Sequence, residues 1–167
     1  MIINGKLLNF YYDTKFKSVK KLFPKIPIQN LKLLPLPKFS NKTQLPFIEK
    51  ADLMLLLNKE LQKEKDNFLN TIKEDKGIEK ITKKLDAFYD FEYDILKKEL
   101  AKQKVKIALG SENNEWREYF NTSKQKINEL QNQINQTDKE IDRMVYKLYE
   151  LTEEEIEIVE KSVKQKS

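Results

Sequence analysis

Between Phe120 and Leu148, apolar residues return at Phe120, Ile127, Leu130, Ile134, Ile141, Met144 and Leu148, with Thr137 as the polar member, in steps of 7, 3, 4, 3, 4, 3 and 4. No other feature constrains the fold as much, because an a/d seam of this length is stable only when another helix covers it. From Ser111 to Tyr149 the helix would run about 58 Å at ~1.5 Å per residue. Its cover is either the helix expected over Leu45–Glu74 or a second copy of the chain. The chain supplies three apolar helices of its own, so intramolecular packing is the favoured reading; a homodimer through the Phe120–Leu148 seam is the other. The charged and amide residues between seam positions read as a solvated face, and the patch of Asn128, Gln131, Asn132, Gln133, Asn135 and Gln136 as a neutral helix surface rather than a recognition code.

The other helices follow from similar signals. One begins near Leu45, with Pro46 tolerated in its first turn, and carries Phe47, Met54, Leu57, Leu61, Phe68 and Ile72. Within it Leu53–Leu57 is apolar without a break, which predicts burial on most sides beside the connector or the head. Gly77 reads as its terminator. From Ile78 to about Gln103, apolar residues predict two shorter helices with a break between Tyr89 and Glu92. A brief apolar stretch from Val105 ends at Gly110. At the C-terminal end, Thr152 and Glu155 form a capping box, and Leu151 and Ile156 a hydrophobic staple. Glu153, Glu154 and Glu155 suit the positive end of a helix dipole. Capping accounts for these acids better than a metal or catalytic carboxylate cluster does.

All five prolines lie between Pro24 and Pro46. Proline cannot donate to a helix or a ladder, so this stretch reads as extended and divides the chain. Met1–Ser18 is a head element, Val19–Gln44 a connector, and Leu45 onward a helical body, giving domains 1–44 and 45–167. The run Leu7–Tyr12 fits a short helix or a buried strand, with helix favoured. Ile26, Ile28, Leu31, Leu33, Leu34 and Leu36 make the connector too apolar for a free linker.

Composition narrows the function. Of 167 residues none is His or Cys and three are Gly. This excludes thiol chemistry, Cys-ligated zinc and histidine general bases, and leaves too little glycine for paired phosphate-cradling loops. A carboxylate-only or Lys-based site survives the count. The expectation is a chain that is not an enzyme by itself, with no cofactor and no metal. The net charge of +5 is uneven. Met1–Gln44 holds nine Lys and one acid, Asp13, leaving 23 basic and 26 acidic residues in the body. A basic head on a mildly acidic body points to a polyanion at the head, set against a merely solvated Lys-rich surface. No apolar run reaches the roughly 20 residues of a membrane span, and the start does not read as a signal peptide. Cytoplasmic residence without a membrane partner is the expectation.

The stretch Glu140–Ile156 carries Ile141, Asp142, Val145, Tyr146, Leu148, Tyr149, Leu151, Thr152, Glu155 and Ile156 in an order that resembles the closing motif of fused type II restriction–methylation enzymes with a TaqI-like C-terminal specificity region. That motif reads roughly I-D-x-x-V-Y-x-L-Y-G-L-T-x-x-E-I. Here Glu150 replaces the usual glycine, which removes an easy terminator and predicts a less sharp bend after Tyr149. Asn4–Tyr12, Phe23–Ile26 and Leu31–Pro37 resemble the exit from the target-recognition domain of the same enzymes, and Pro46–Asp52 the helix that follows. The resemblance spans nearly the whole chain in order. The N-P-P-Y methyltransferase motif is missing, as is a Gly-rich cofactor loop.

The resemblance implies the last part of such an enzyme, with the catalytic parts and most of the recognition domain upstream of Met1. It implies a DNA-recognition fragment with a helical spacer that docks against a methyltransferase or nuclease domain or chain. The phosphate-contact candidates are Lys15, Lys17, Lys20, Lys21 and Lys25, with Lys6 and Lys32 peripheral. Tyr11 and Tyr12 read as core before DNA contacts. The alternative is a coiled-coil interaction or oligomerisation protein without DNA binding. The expected fold is mainly α: an elongated helical bundle or antiparallel coiled-coil-like body, a small basic N-terminal element and a Pro-rich extended connector.

Overall fold

The structure is a computed structural model that describes residues 5–16, 27–37 and 40–164. It is a mainly-α helical bundle, and no strand occurs among the described residues. The helices are α1 (Lys6–Phe16), α2 (Ile28–Leu31), α3 (Asn41–Lys76), α4 (Lys83–Asp86), α5 (Tyr93–Lys102), α6 (Ser111–Leu148) and α7 (Glu153–Lys164), with a 3-10 turn at Phe88–Asp90. None is long and apolar enough to cross a membrane.

Two compact units form: Met1–Asp52 with Thr137–Ser167, and Leu53–Gln136. The expected division at residue 44 instead falls inside α3. A reading along the chain cannot see that the C-terminal helix returns to the N-terminal one, where α1 packs on α7.

In the unit Leu53–Gln136 the core is aromatic. The rings of Phe68 and Phe88 stack at 3.8 Å. Phe120, fully buried, sets its ring beside those of Phe68, Phe88, Phe91 and Tyr93 at 5.6–6.5 Å. Ile72, Leu85, Leu96, Leu100 and Ile127 complete this core. The break predicted between Tyr89 and Glu92 is present, between the 3-10 turn and α5. Ile78 is buried, but in a loop rather than a helix. Thr82 then caps α4 by accepting from the Leu85 amide at 3.1 Å. A polar clasp ties the end of α3 to the start of α6. Lys76 pairs with Glu112, Trp116 Nε1 donates to Asp75 at 3.2 Å, and Glu112 accepts from the Ala108 amide. Buried Glu99 lies between Lys84 and Lys102.

The seam of α6 is internal at Phe120, Ile127, Leu130, Thr137 and Ile141, with Trp116 and Ser123 buried in the same series. At its end Asp142, Val145 and Tyr146 are buried, Val145 most deeply, while Met144 and Leu148 are half-buried. A straight helix gains about 20° per heptad on a strict 3.5-residue repeat. About seven turns of 3.6 residues from Phe120 therefore arrive at Val145.

Two further expectations are corrected. Helix α3 starts at Asn41, not near Leu45, because Ser40 caps it by accepting from the Thr43 amide at 3.2 Å. Pro46 thus lies inside the helix, beyond the first turn. Of Leu53–Leu57 only Leu57 is buried; Leu53, Leu55 and Leu56 are exposed. Consecutive helical side chains point about 100° apart, so an unbroken run is buried on all sides only where neighbours surround the helix.

In the unit Met1–Asp52 with Thr137–Ser167, Leu8, Leu34, Ile141, Val145, Tyr146 and Val159 are buried. The head is helical, as favoured, and Tyr12 and Phe16 pack ring to ring at 5.3 Å. The connector is not extended throughout, since Ile28–Leu31 form α2. Of its described apolar residues only Leu34 is buried, while Ile28, Leu31, Leu33 and Leu36 are exposed. Its ties are polar, Tyr149 donating to the Pro35 carbonyl at 2.7 Å and Asn30 to the Tyr12 hydroxyl. Lys50 pairs with Glu140 at 2.6 Å. Thr152 and Glu155 form the expected capping box, with the Thr152 amide donating to Glu155 at 2.8 Å and the Glu155 amide to Thr152 Oγ1 at 3.4 Å.

The bend between α6 and α7 is not softened by Glu150. Its φ is 54°, and the Leu151 amide bonds the Tyr146 carbonyl while the Glu150 amide bonds that of Lys147. This is the paired closure of a Schellman end, which normally has glycine at the left-handed position. These two bonds hold the exposed Glu150 in a backbone state that favours glycine. Glu150→Gly is expected to stabilise the chain by about 0.5–1 kcal/mol, the relief of strain exceeding the added entropy of the unfolded chain. Urea denaturation checks this, and a destabilised variant would show that the Glu150 side chain contributes more than its strain takes away.

Candidate functional site

The basic head supplies the first candidates. Lys17, Lys20, Lys21 and Lys25 lie outside the described residues. Lys15 is exposed on the last turn of α1, its Nζ 3.0 Å from the Tyr11 hydroxyl. Lys32 is exposed just past α2. Lys6 has another role. Its Nζ lies 3.0 Å from Asp142 Oδ2 and 3.0 Å from Glu160 Oε1, so its charge is engaged within the chain. Asp142 Oδ1 also accepts from the Lys6 backbone amide at 3.4 Å. One carboxylate on α6 thus serves both an orphan amide at the start of α1 and the ammonium beside it. Tyr146 completes the cluster by donating to Glu160 at 2.8 Å.

The electrostatics fix these protonation states. Burial works to lower the Lys6 ammonium, but the bonds to Asp142 and Glu160 outweigh it, and Lys6 is held above its ordinary value. Burial, then the bond to Glu160, drives the Tyr146 phenol far above its ordinary value, so it stays a donor. Burial and neighbouring Asp142 push the Asp138 carboxyl up. Lys65 and Lys76 follow the pattern of Lys6: burial pulls down, while hydrogen-bonding partners led by Asp86 and by Glu112 respectively raise them overall. A lysine nucleophile needs the reverse, a depressed ammonium. These groups are built to stay charged and paired.

Above this cluster a groove of about 740 Å³ opens between α6 and α7. Its α6 wall carries Lys139, Arg143 and Lys147, one helical turn apart in succession. All three are exposed, and none forms an ion pair among the described residues. Earlier on the same helix, by contrast, Lys124 and Lys126 are paired with Glu92 and Glu64. Half-buried Leu151 and Ile156 give the groove an apolar strip, and Glu153 lines it from the first turn of α7. Sequence reasoning took this row for part of a solvated face. The i, i+4, i+8 spacing of Lys139, Arg143 and Lys147 is the signal that could have singled it out. Among the described residues no three carboxylates are grouped so as to hold a metal ion.

The resemblance-bearing residues converge here. Asp142, Tyr146 and Tyr149 from the C-terminal stretch contact Lys6, Glu160 and Pro35, and Lys6 and Pro35 belong to the N-terminal stretches. No curated protein and no solved structure matches the chain. Residues 40–145, from the start of α3 almost to the end of α6, match the family described as a domain of unknown function, DUF8810. That span is more than half of the chain, which therefore belongs to the DUF8810 family.

Proposed function

We infer that the chain is a DNA-recognition and docking fragment of a restriction–modification system, not catalytic alone: a basic head that contacts phosphates and a helical body that holds a methyltransferase or nuclease part. One observation carries this reading. The separated stretches that resemble restriction–methylation enzymes fold into a single unit, and their motif residues bond one another across more than a hundred residues of sequence. A shared tertiary arrangement is a physical reason for such motifs to occur together and in order. The exposure of Lys15 and Lys32 fits backbone contacts.

A titration of the full chain with duplex DNA tests the reading. With about four phosphate contacts, affinity is expected to fall on the order of 100-fold between about 50 and 200 mM salt. Binding indifferent to salt, or none at low salt, counts against it. So does methyl transfer from S-adenosylmethionine to DNA by the chain alone.

A second reading, an interaction protein without DNA binding, is favoured by the exposed Leu55 and Leu56 on α3. Sedimentation separates the two. A stable, DNA-indifferent dimer dispersed by Leu55→Glu supports this rival.

A further inference from the structure

We propose that the groove between α6 and α7 is the docking site for an amphipathic helix of a protein partner, one with a row of carboxylates beside an apolar edge. This deepens the docking role inferred above and rests on it.

The row of cations supplies the first argument. Lys139, Arg143 and Lys147 recur at about 6 Å intervals along α6, and none is neutralised by an ion pair among the described residues. A second helix with acidic residues every fourth position presents charges at the same interval. The row spans about 12 Å, longer than one small anion needs.

The remaining lining selects the class of partner. Leu151 and Ile156 offer apolar surface next to the cations, which leucine-like side chains can cover and a sugar–phosphate backbone cannot. Glu153, from α7, opposes a continuous polyanion but accommodates a basic residue on the far edge of a helix. Three cations beside an apolar strip, with Glu153 as the one lining acid outside the paired Lys6 cluster, match an interface with a charged rim and an apolar centre. The paired cluster of Lys6, Asp142, Glu160 and Tyr146 holds α1 and α7 to α6 and so fixes the wall on which the partner would rest. Such preorganisation reduces the ordering that association requires.

The test uses the full chain and a fluorescein-labelled peptide of about fifteen residues, with glutamates at every fourth position and leucines beside them. Anisotropy should show saturable binding that weakens about tenfold when the glutamates become glutamines, as three exposed charge pairs would give. The variant Lys139→Glu/Arg143→Glu/Lys147→Glu should lose affinity by at least as much. All three positions are exposed, so an unchanged thermal melt is the folding control. The proposal is overturned if the peptide fails to bind by about 1 mM, or if the triple variant binds it as well as the parent chain. It is also overturned if the triple variant loses duplex DNA binding but keeps the peptide, which would make the row a phosphate wall. Salt-sensitive self-association abolished by the triple variant would assign the groove to a second copy and overturn it too. Peptide binding without any DNA binding would leave the groove standing and remove the DNA-recognition reading. DNA binding without peptide binding would do the reverse.

Discussion

Replacing Phe120 by alanine is expected to destabilise the chain by about 3–5 kcal/mol. Phe120 is fully buried, and the four rings around it come from α3, the 3-10 turn and the segment leading into α5. Removing it deletes transfer energy and ring–ring contacts together, and leaves a void that aromatic neighbours fill poorly because their rings are rigid. Trp116 lies in the same core and is the only tryptophan, so its fluorescence follows this unit in a urea titration. A domain holds only about 5–15 kcal/mol in total, and the midpoint should fall steeply. A loss below about 1 kcal/mol would mean that the rings close over the gap, and would contradict a densely packed cluster.

The second large effect concerns Lys6. Lys6→Met is expected to destabilise the chain by about 3 kcal/mol, because it strands the Asp142 carboxylate, whose side chain is only 5% exposed. Removing the stranded carboxylate as well, in Lys6→Met/Asp142→Leu, should recover part of the loss; the rest stays lost because the Lys6 amide no longer has Asp142 as its acceptor. Urea denaturation of the single and double variants decides it. Equal stabilities for Lys6→Met and the parent would show that solvent screens the pair. The pH dependence has a definite sign. The Lys6 ammonium is held above its unfolded value, so its contribution is complete below that value and is lost as pH rises through the folded one. The parent chain should therefore weaken on the alkaline side, and Lys6→Met should show a shallower limb, the share of Lys65, Lys76 and Tyr146 remaining.

Much of the local structure was legible in the sequence. The heptads of α6, the break after Tyr89, the terminator at Gly77 and the box at Thr152 each depend on residues within a few turns, where periodicity and capping chemistry act. What was not legible is long-range. Nothing near Lys6 in sequence says that its ammonium will meet Asp142 and Glu160. Read locally, it is one more cation of a basic head. The row Lys139–Arg143–Lys147 was hidden for the opposite reason. Its spacing is plain, but only the arrival of α7 turns one face of α6 into a wall. Glu150 shows a third limit. Its propensity argued for a softer bend, and the paired closing bonds to Lys147 and Tyr146 form the left-handed turn regardless.

The pairing of α1 with the end of α6 and with α7 has a consequence for how the protein is made. At about 5–20 residues per second, a ribosome needs on the order of ten seconds to pass from Lys6 to Asp142. Throughout that interval α1 lacks the carboxylate that caps it and the helix it rests on, and by its end the segment Leu53–Gln136 is complete in sequence. The residues of α1 thus leave the ribosome long before their partners, and an 11-residue helix is marginal by itself in water. The nascent head waits for the end of α6 and for α7, open to chaperones and proteases until they emerge.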